Sequence, residues 1–191
     1  MRDLSEFAEL PELSDGRLVV RPYRPDDAPA VAAMCQDETA LRWLPMPDPY
    51  QLSDAEEWIG DAERRWCEDR VASWVACDAG SGELWGSVSV RIDAKNGNGD
   101  IGYLVARGAR RGGVATGMVA LVVGWCFDDL GMGRLQIRCD PRNEASRRTI
   151  LRAGFQLEGM LRSEQIIRDE RTDSVIASLL PGDPQPGRSA P

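Results

Sequence analysis

Residues 114–130, "VATGMVALVVGWCFDDL", read as a helix that is apolar on nearly every side. Val114, Met118, Val119, Leu121, Val122, Val123, Trp125, Phe127 and Leu130 leave it no polar face, so other elements must bury it. Gly131 and Gly133 stop it. Its N-terminus then points from the core to the sheet edge and stays fixed there. Directly ahead stand Arg107, Arg110, Arg111, Gly112 and Gly113. Helix starts leave amide N–H groups unpaired and carry partial positive charge. Adding arginines implies a ligand with phosphates.

The rest of the chain supplies the cover. "RLVVRPY" (17–23) alternates like a strand, and "PDDAPAVAAMCQDETALRWL" (25–44) reads as a helix with acidic residues at its start. "PMPDPYQL" (45–52) is a loop by its three prolines, and Ser53 with Glu56 forms a capping box for a helix to about Arg70. Strands follow near 71–78, 83–93 and 100–106, then the apolar helix, then the strand "RLQIRCD" (134–140). Asn143 caps a further helix ending at Gly154, and "FQLEGMLRSEQII" and "DSVIASLL" close the chain as two strands. This order makes one mixed α/β domain on a single sheet, with residues 1–14 as a loose N-terminal extension, 15–181 as the domain and 182–191 as a disordered tail.

Three phosphate-binding patterns can be tested on the glycine-rich stretches. A P-loop reading starts at Gly112 and Gly117, but Met118 and Val119 replace the Lys and hydroxyl that hold phosphate and magnesium. "GNGDIG" (97–102) matches G-x-G-x-x-G, yet it enters a strand, whereas a dinucleotide site leaves a strand and opens a helix. The third pattern, R/Q-x-x-G-x-G/A, is met by Arg110-Arg111-Gly112-Gly113-Val114-Ala115. Its small residues let successive amides from Arg111 to Thr116 wrap a pyrophosphate as a nest.

Composition removes much of the remaining chemistry. The chain has no histidine, which excludes Ser–His–Asp and Cys–His catalysis and His-ligated zinc. Proton transfer falls to carboxylates, hydroxyls, thiols or water. A net charge of −8 argues against bulk nucleic-acid binding and tilts toward a basic acceptor. Cys35, Cys67, Cys77, Cys126 and Cys139 are dispersed without C-x-x-C spacing, as expected for reduced thiols in the cytoplasm. No metal is expected. No uncharged apolar run has membrane-spanning length, and "MRDLSEFAEL" does not look like a secretory signal.

From Ile101 to Phe155 the sequence resembles the GCN5-related N-acetyltransferase (GNAT) superfamily, and most nearly its ribosomal-protein N-terminal acetyltransferase branch. The landmarks are Ile101-Gly102-Tyr103, the 110–115 loop, Leu130-Gly131, Asp140-Pro141, Asn143 with Ser146, Gly154-Phe155 and Glu158-Gly159. The resemblance covers about residues 15–180. It implies a twisted, mostly antiparallel sheet of about seven strands with about four flanking helices, and a V-shaped splay between two central parallel strands, here 100–106 and 134–140. Acetyl-CoA lies in that gap as co-substrate.

On that resemblance, the backbone of Tyr103, Leu104 and Val105 pairs with pantetheine, and the amide near Tyr103 stabilises the thioester oxyanion. Arg110, Arg111, Gly112, Gly113, Val114, Ala115 and Thr116 hold the pyrophosphate. Asn143 resembles a pantetheine contact and serves equally as a helix cap. Many relatives carry a tyrosine where this chain has Ile150, so Ser146 becomes the candidate acid for the CoA thiolate, or else a plain helical serine. Asp100, Glu158 and Glu38 are candidate bases, and Cys126 and Cys139 are core residues. Trp43, Leu44, the loop through Tyr50 and the 164–172 hairpin form the acceptor side. The implied reaction is acetyl transfer to a primary amine, a protein N-terminus or a small cationic molecule. The alternatives are another acyl donor such as succinyl-CoA, or an acyl-CoA sensor without turnover. The resemblance leaves room for a homodimer.

Overall fold

The computed structural model describes residues 2, 4, 7 and 9–184; residues 185–191, most of the expected disordered tail, lie outside them. Strands β1 (Leu13–Ser14), β2 (Leu18–Pro22), β3 (Val71–Asp78), β4 (Leu84–Asp93), β5 (Asn98–Val105), β6 (Arg134–Cys139), β7 (Gln156–Ile167) and β8 (Glu170–Leu179) form one sheet. Its order is β1-β2-β3-β4-β5-β6-β8-β7. Every neighbouring pair is antiparallel except β5 with β6. Eight strands replace the expected seven because Leu13–Ser14 adds a short rung opposite Val20 and Val19.

The helices are α1 (Ala28–Cys35), α2 (Glu38–Trp43), α3 (Leu52–Gly60), α4 (Ala62–Cys67), α5 (Val114–Gly124) and α6 (Glu144–Arg152). Two helices expected as continuous are each divided. Asp37 takes an extended conformation and its carboxylate accepts the amides of Thr39 and Ala40, so a new helix starts there. The second divides at Asp61. The box at its start is also displaced: Asp54 Oδ2 accepts the Gln51 amide at 2.6 Å, two residues ahead of the expected Ser53 cap.

β3 explains the layering. Ala72, Trp74 and Ala76 pack into the core with α5, while Val75 and Cys77 face α1 and α3 on the opposite side. A strand covered on both faces reads as a continuous apolar run rather than an alternation, which is the pattern of "VASWVAC". Within α5, Met118, Val119 and Val122 are fully buried, each contributing about 1.5–3 kcal/mol relative to exposure. The helix continues through a wider turn, Trp125–Asp129, which drives Trp125 inward. There its ring meets Trp74 at 5.1 Å and Trp66 and Phe7 at 6.1 Å.

The N-terminal extension is not loose where it is described. Trp66 Nε1 donates to the Phe7 carbonyl at 2.8 Å and Trp74 Nε1 to that of Pro11 at 3.0 Å. A buried indole N–H needs an acceptor, and the extension brings two. At the other end Asp183 accepts from Gln156 and Leu180, tying the chain to its last strands as far as that turn.

Candidate active site

Pairing between β5 and β6 runs from Asn98 opposite Arg134 to Ile101 opposite Ile137, and ends there. Yet β5 continues to Val105 and β6 to Cys139. Gly102, Tyr103, Leu104 and Val105 remain paired with Ser89, Val88, Ser87 and Gly86 of β4. Their other side faces the opening, and backbone groups there require a partner. Gly86 permits the close approach of these strands, since a Cβ there would stand 2.7 Å from the Leu104 carbonyl oxygen. A cavity of about 560 Å3 occupies the gap.

The start of α5 closes one end of the cavity. Arg111 and Gly113 both hold left-handed conformations, φ 66° and 78°, which turn the chain sharply into the helix. Gly113 is the N-cap, and no side chain caps the helix. The first helical bond joins the Gly117 amide to the Gly113 carbonyl at 2.9 Å. The amides of Val114, Ala115 and Thr116 precede it and have no intrahelical acceptor. These residues line the cavity with Arg110, Arg111 and Gly113. The helix thus opens mid-sheet, where the central pair divides, and not at an outer edge.

Gly112 does not line the cavity. Its carbonyl turns away and accepts Arg17 Nη2 at 2.6 Å. Arg110, expected beside a pyrophosphate, reaches in another direction: Nη2 donates to Asp37 at 2.5 Å and Nε to the Val105 carbonyl at 3.2 Å. It clamps the loop to α2. Burial alone would raise the Asp37 carboxyl, but Arg110 outweighs this and holds it below the usual range.

Across the gap, Asn143 caps α6 by accepting the Ser146 amide at 3.0 Å. The Ser146 hydroxyl lies 2.8 Å from the Tyr103 hydroxyl, so β5 and α6 meet through two side chains at the cavity wall. Burial raises the Tyr103 pKa. Ile150, at the position of the missing tyrosine, is fully buried among Phe155 and other core residues. Cys126 is fully buried, as expected of a core thiol, and burial raises its pKa. Cys139 belongs to the core and touches the cavity as well.

The carboxylates separate clearly. Asp100 precedes the cavity wall, with its carboxylate on Arg138 and on Gln136 Nε2 at 3.4 Å. Arg138 lines the cavity and also binds Glu164. Glu158 lies outside the cavity, gripped by Arg134 at 2.6 and 2.7 Å and by the Ser178 hydroxyl at 2.6 Å. Those bonds pull its pKa down to about 2, which leaves it little basicity near neutral pH. Glu38 does not line the cavity either. Among the described residues, the carboxylate on the cavity wall is Asp140, which sequence reasoning treated as a landmark alone. Arg142 holds it in three contacts, two from its guanidinium and one from its amide, and lowers its pKa. On the acceptor side Trp43, Leu44, Pro45 and Gln165 line the cavity, whereas Tyr50 is buried beneath α1 and α3.

Residues 17–156 match the family model described as "Acetyltransferase (GNAT) domain". The chain belongs to the GNAT acetyltransferase family. Among its GNAT relatives is an N-acetyltransferase of Bacillus subtilis (strain 168), YoaA, 29% identical over 171 residues, covering 89% of this chain and 97% of YoaA. Two solved structures share the fold. The ribosomal-protein-S5-alanine acetyltransferase from Vibrio fischeri superposes with a TM-score of 0.78 at 18% identity, covering 90% of this chain and 97% of that one. The microcin C7 self-immunity acetyltransferase MccE, in complex with acetyl-CoA and AMP, gives 0.80 at 22% identity, covering 87% and 93%. The GNAT sheet, with its splay, is therefore the scaffold of the cavity. Among the described residues no group of three or more His, Cys, Asp or Glu side chains could hold a metal, and no helix is long and apolar enough to cross a membrane.

Proposed function

We propose that this chain transfers an acetyl group from acetyl-CoA to a primary amine by direct attack within a ternary complex. One observation carries the reading: β5 and β6 stop pairing after Ile101 and Ile137, and the gap leads to an uncapped helix start. Pantetheine completes the open edge of Tyr103, Leu104 and Val105 as a further strand. The pyrophosphate meets the amides of Arg111 and 113–116 and the Arg111 guanidinium, while Arg110 and Gly112 set the shape of that loop. Asn143 holds the start of α6 against the pantetheine arm.

The attacking nitrogen forms a bond to the thioester carbonyl carbon, and an amide near Tyr103 stabilises the oxyanion. As the C–S bond breaks, the Ser146 hydroxyl gives its proton to the departing thiolate. Tyr103, protonated at neutral pH, passes its proton to the serine and regains one from solvent water entering the cavity as CoA leaves. The amine proton leaves through water held by Asp100, the base candidate whose neighbours reach the cavity; Glu158 has no such route. Acetyl-CoA is a co-substrate here, and no step needs a metal. The acceptor class is supported by relatives whose names specify protein substrates, so a protein N-terminus is the leading choice, with a small-molecule amine as the other.

The test is thiol release from acetyl-CoA across a panel of peptide and small amines. Turnover that depends on the amine supports the reading. CoA binding without release across the whole panel would identify an acyl-CoA-binding module instead.

A further inference from the structure

A second cavity of about 250 Å3 adjoins the first, and Trp43 lines both. Three arginines from separate segments border it: Arg42 at the end of α2, Arg142 before α6 and Arg168 in the β7–β8 turn. Glu170 is the carboxylate on its lining. Arg142 is paired with Asp140 at 2.6 Å, and Arg168 with Asp48 at 3.0 Å. Arg42 stacks on Trp43 at 4.6 Å and has no salt bridge among the described residues.

Two further observations point to a ligand. Thr172, only 9% exposed, lines this cavity, and its hydroxyl oxygen is shielded from solvent without a hydrogen-bond partner among the described residues. Leaving such a group unpaired costs about 1–3 kcal/mol. Arg168 also has φ 51°, with Asp169 at 62°, in a two-residue turn. Such turns favour Asn or Gly, because a larger side chain strains the left-handed conformation. Arg168 lines the cavity from that turn while pairing with Asp48.

We infer that the second cavity binds an anionic group, carboxylate or phosphate, carried by the acceptor a few bonds from its reacting amine. Guanidinium forks match the oxygens of both groups, and Thr172 supplies a hydroxyl donor. Trp43 forms the shared wall along which one molecule spans both cavities. Arg42, the lining guanidinium without a salt bridge among the described residues, is the group that would read the anion, against the preference for a basic acceptor that the net charge of −8 implied. This inference rests on the acetyltransferase reading.

The experiment compares kcat/KM for the dipeptide amides Ala-Glu, Ala-Gln and Ala-Lys, and for O-phosphoserine amide against serine amide. The acidic member of a set is expected to lead its neutral partner by about tenfold, the worth of one charge-assisted contact; whichever set shows it distinguishes carboxylate from phosphate. Arg42→Gln and Thr172→Val should each erase most of that preference and leave KM for acetyl-CoA unaltered. Equal use of acidic and neutral acceptors, a lead for Ala-Lys, or a preference that survives both substitutions would overturn the inference while the acetyltransferase reading stands. No acetylation of any probe by protein that binds acetyl-CoA would overturn both.

Discussion

The Tyr103 hydroxyl lies 2.8 Å from the Ser146 hydroxyl, so the parted strand and the helix beyond the gap share a hydrogen bond at the cavity wall. Ser146→Ala should lower kcat about a hundredfold, and Tyr103→Phe about tenfold. KM for acetyl-CoA should stay within about twofold in both, because neither hydroxyl is needed to hold the nucleotide. Steady-state kinetics with saturating amine checks this, and full activity in Ser146→Ala would remove the serine from the mechanism.

Gly86 sets the gap from behind. A methyl there meets the Leu104 carbonyl at 2.7 Å and Met118 Sδ at 3.3 Å. The first contact is backbone and cannot swing aside. Gly86→Ala should cost about 1–3 kcal/mol of stability and weaken CoA binding by displacing β5. Gly159→Ala, with nothing within 4 Å, is the matched control and should do neither. Urea unfolding and calorimetric titration of both variants separate the effects.

Asp37 has two duties, capping α2 through the amides of Thr39 and Ala40 and anchoring Arg110. Asp37→Ala should therefore destabilise by about 1 kcal/mol as a lost cap and also raise Kd for CoA as the loop loosens. Asp37→Asn keeps much of the cap, so its loss should fall mainly on CoA affinity. Equal CoA affinity in all three proteins would show that Arg110 needs no anchor.

Glu158 offers a test by pH. Its folded pKa of about 2 lies below the ordinary 4.5. A depressed carboxyl contributes stability that is present above pH 4.5 and is lost as pH falls toward 2. The side chain is 41% exposed, so solvent limits the gain to about 1 kcal/mol or less. Wild type should exceed Glu158→Gln in urea stability at pH 7 and converge with it near pH 2. Activity at pH 7 should change little. A collapse of kcat in Glu158→Gln would restore it as a base.

The parts legible in the sequence are those written in contiguous residues. The apolar run 114–130, the small residues 112–115 and the Asn143–Ser146 spacing each encode a local geometry, and the structure repeats them. What sequence reading missed depends on distant partners. Asp37 holds Arg110 across 73 residues, and Arg17 holds Gly112 across 95. Glu158 follows Gly154-Phe155 with the spacing of a site residue, yet the β7 strand carries it toward Arg134 and away from the gap. The second cavity draws on segments around residues 42, 142 and 168, a juxtaposition set by strand order alone. Helix breaks at Asp37 and Asp61 were hidden because both lie in otherwise helical composition.

Calorimetric titration of the folded protein with CoA and acetyl-CoA tests the centre of this account. The account requires saturable binding of one molecule per chain, weakened in Gly86→Ala and retained in Ser146→Ala. A folded protein that takes up neither compound would contradict it, whatever the amine offered.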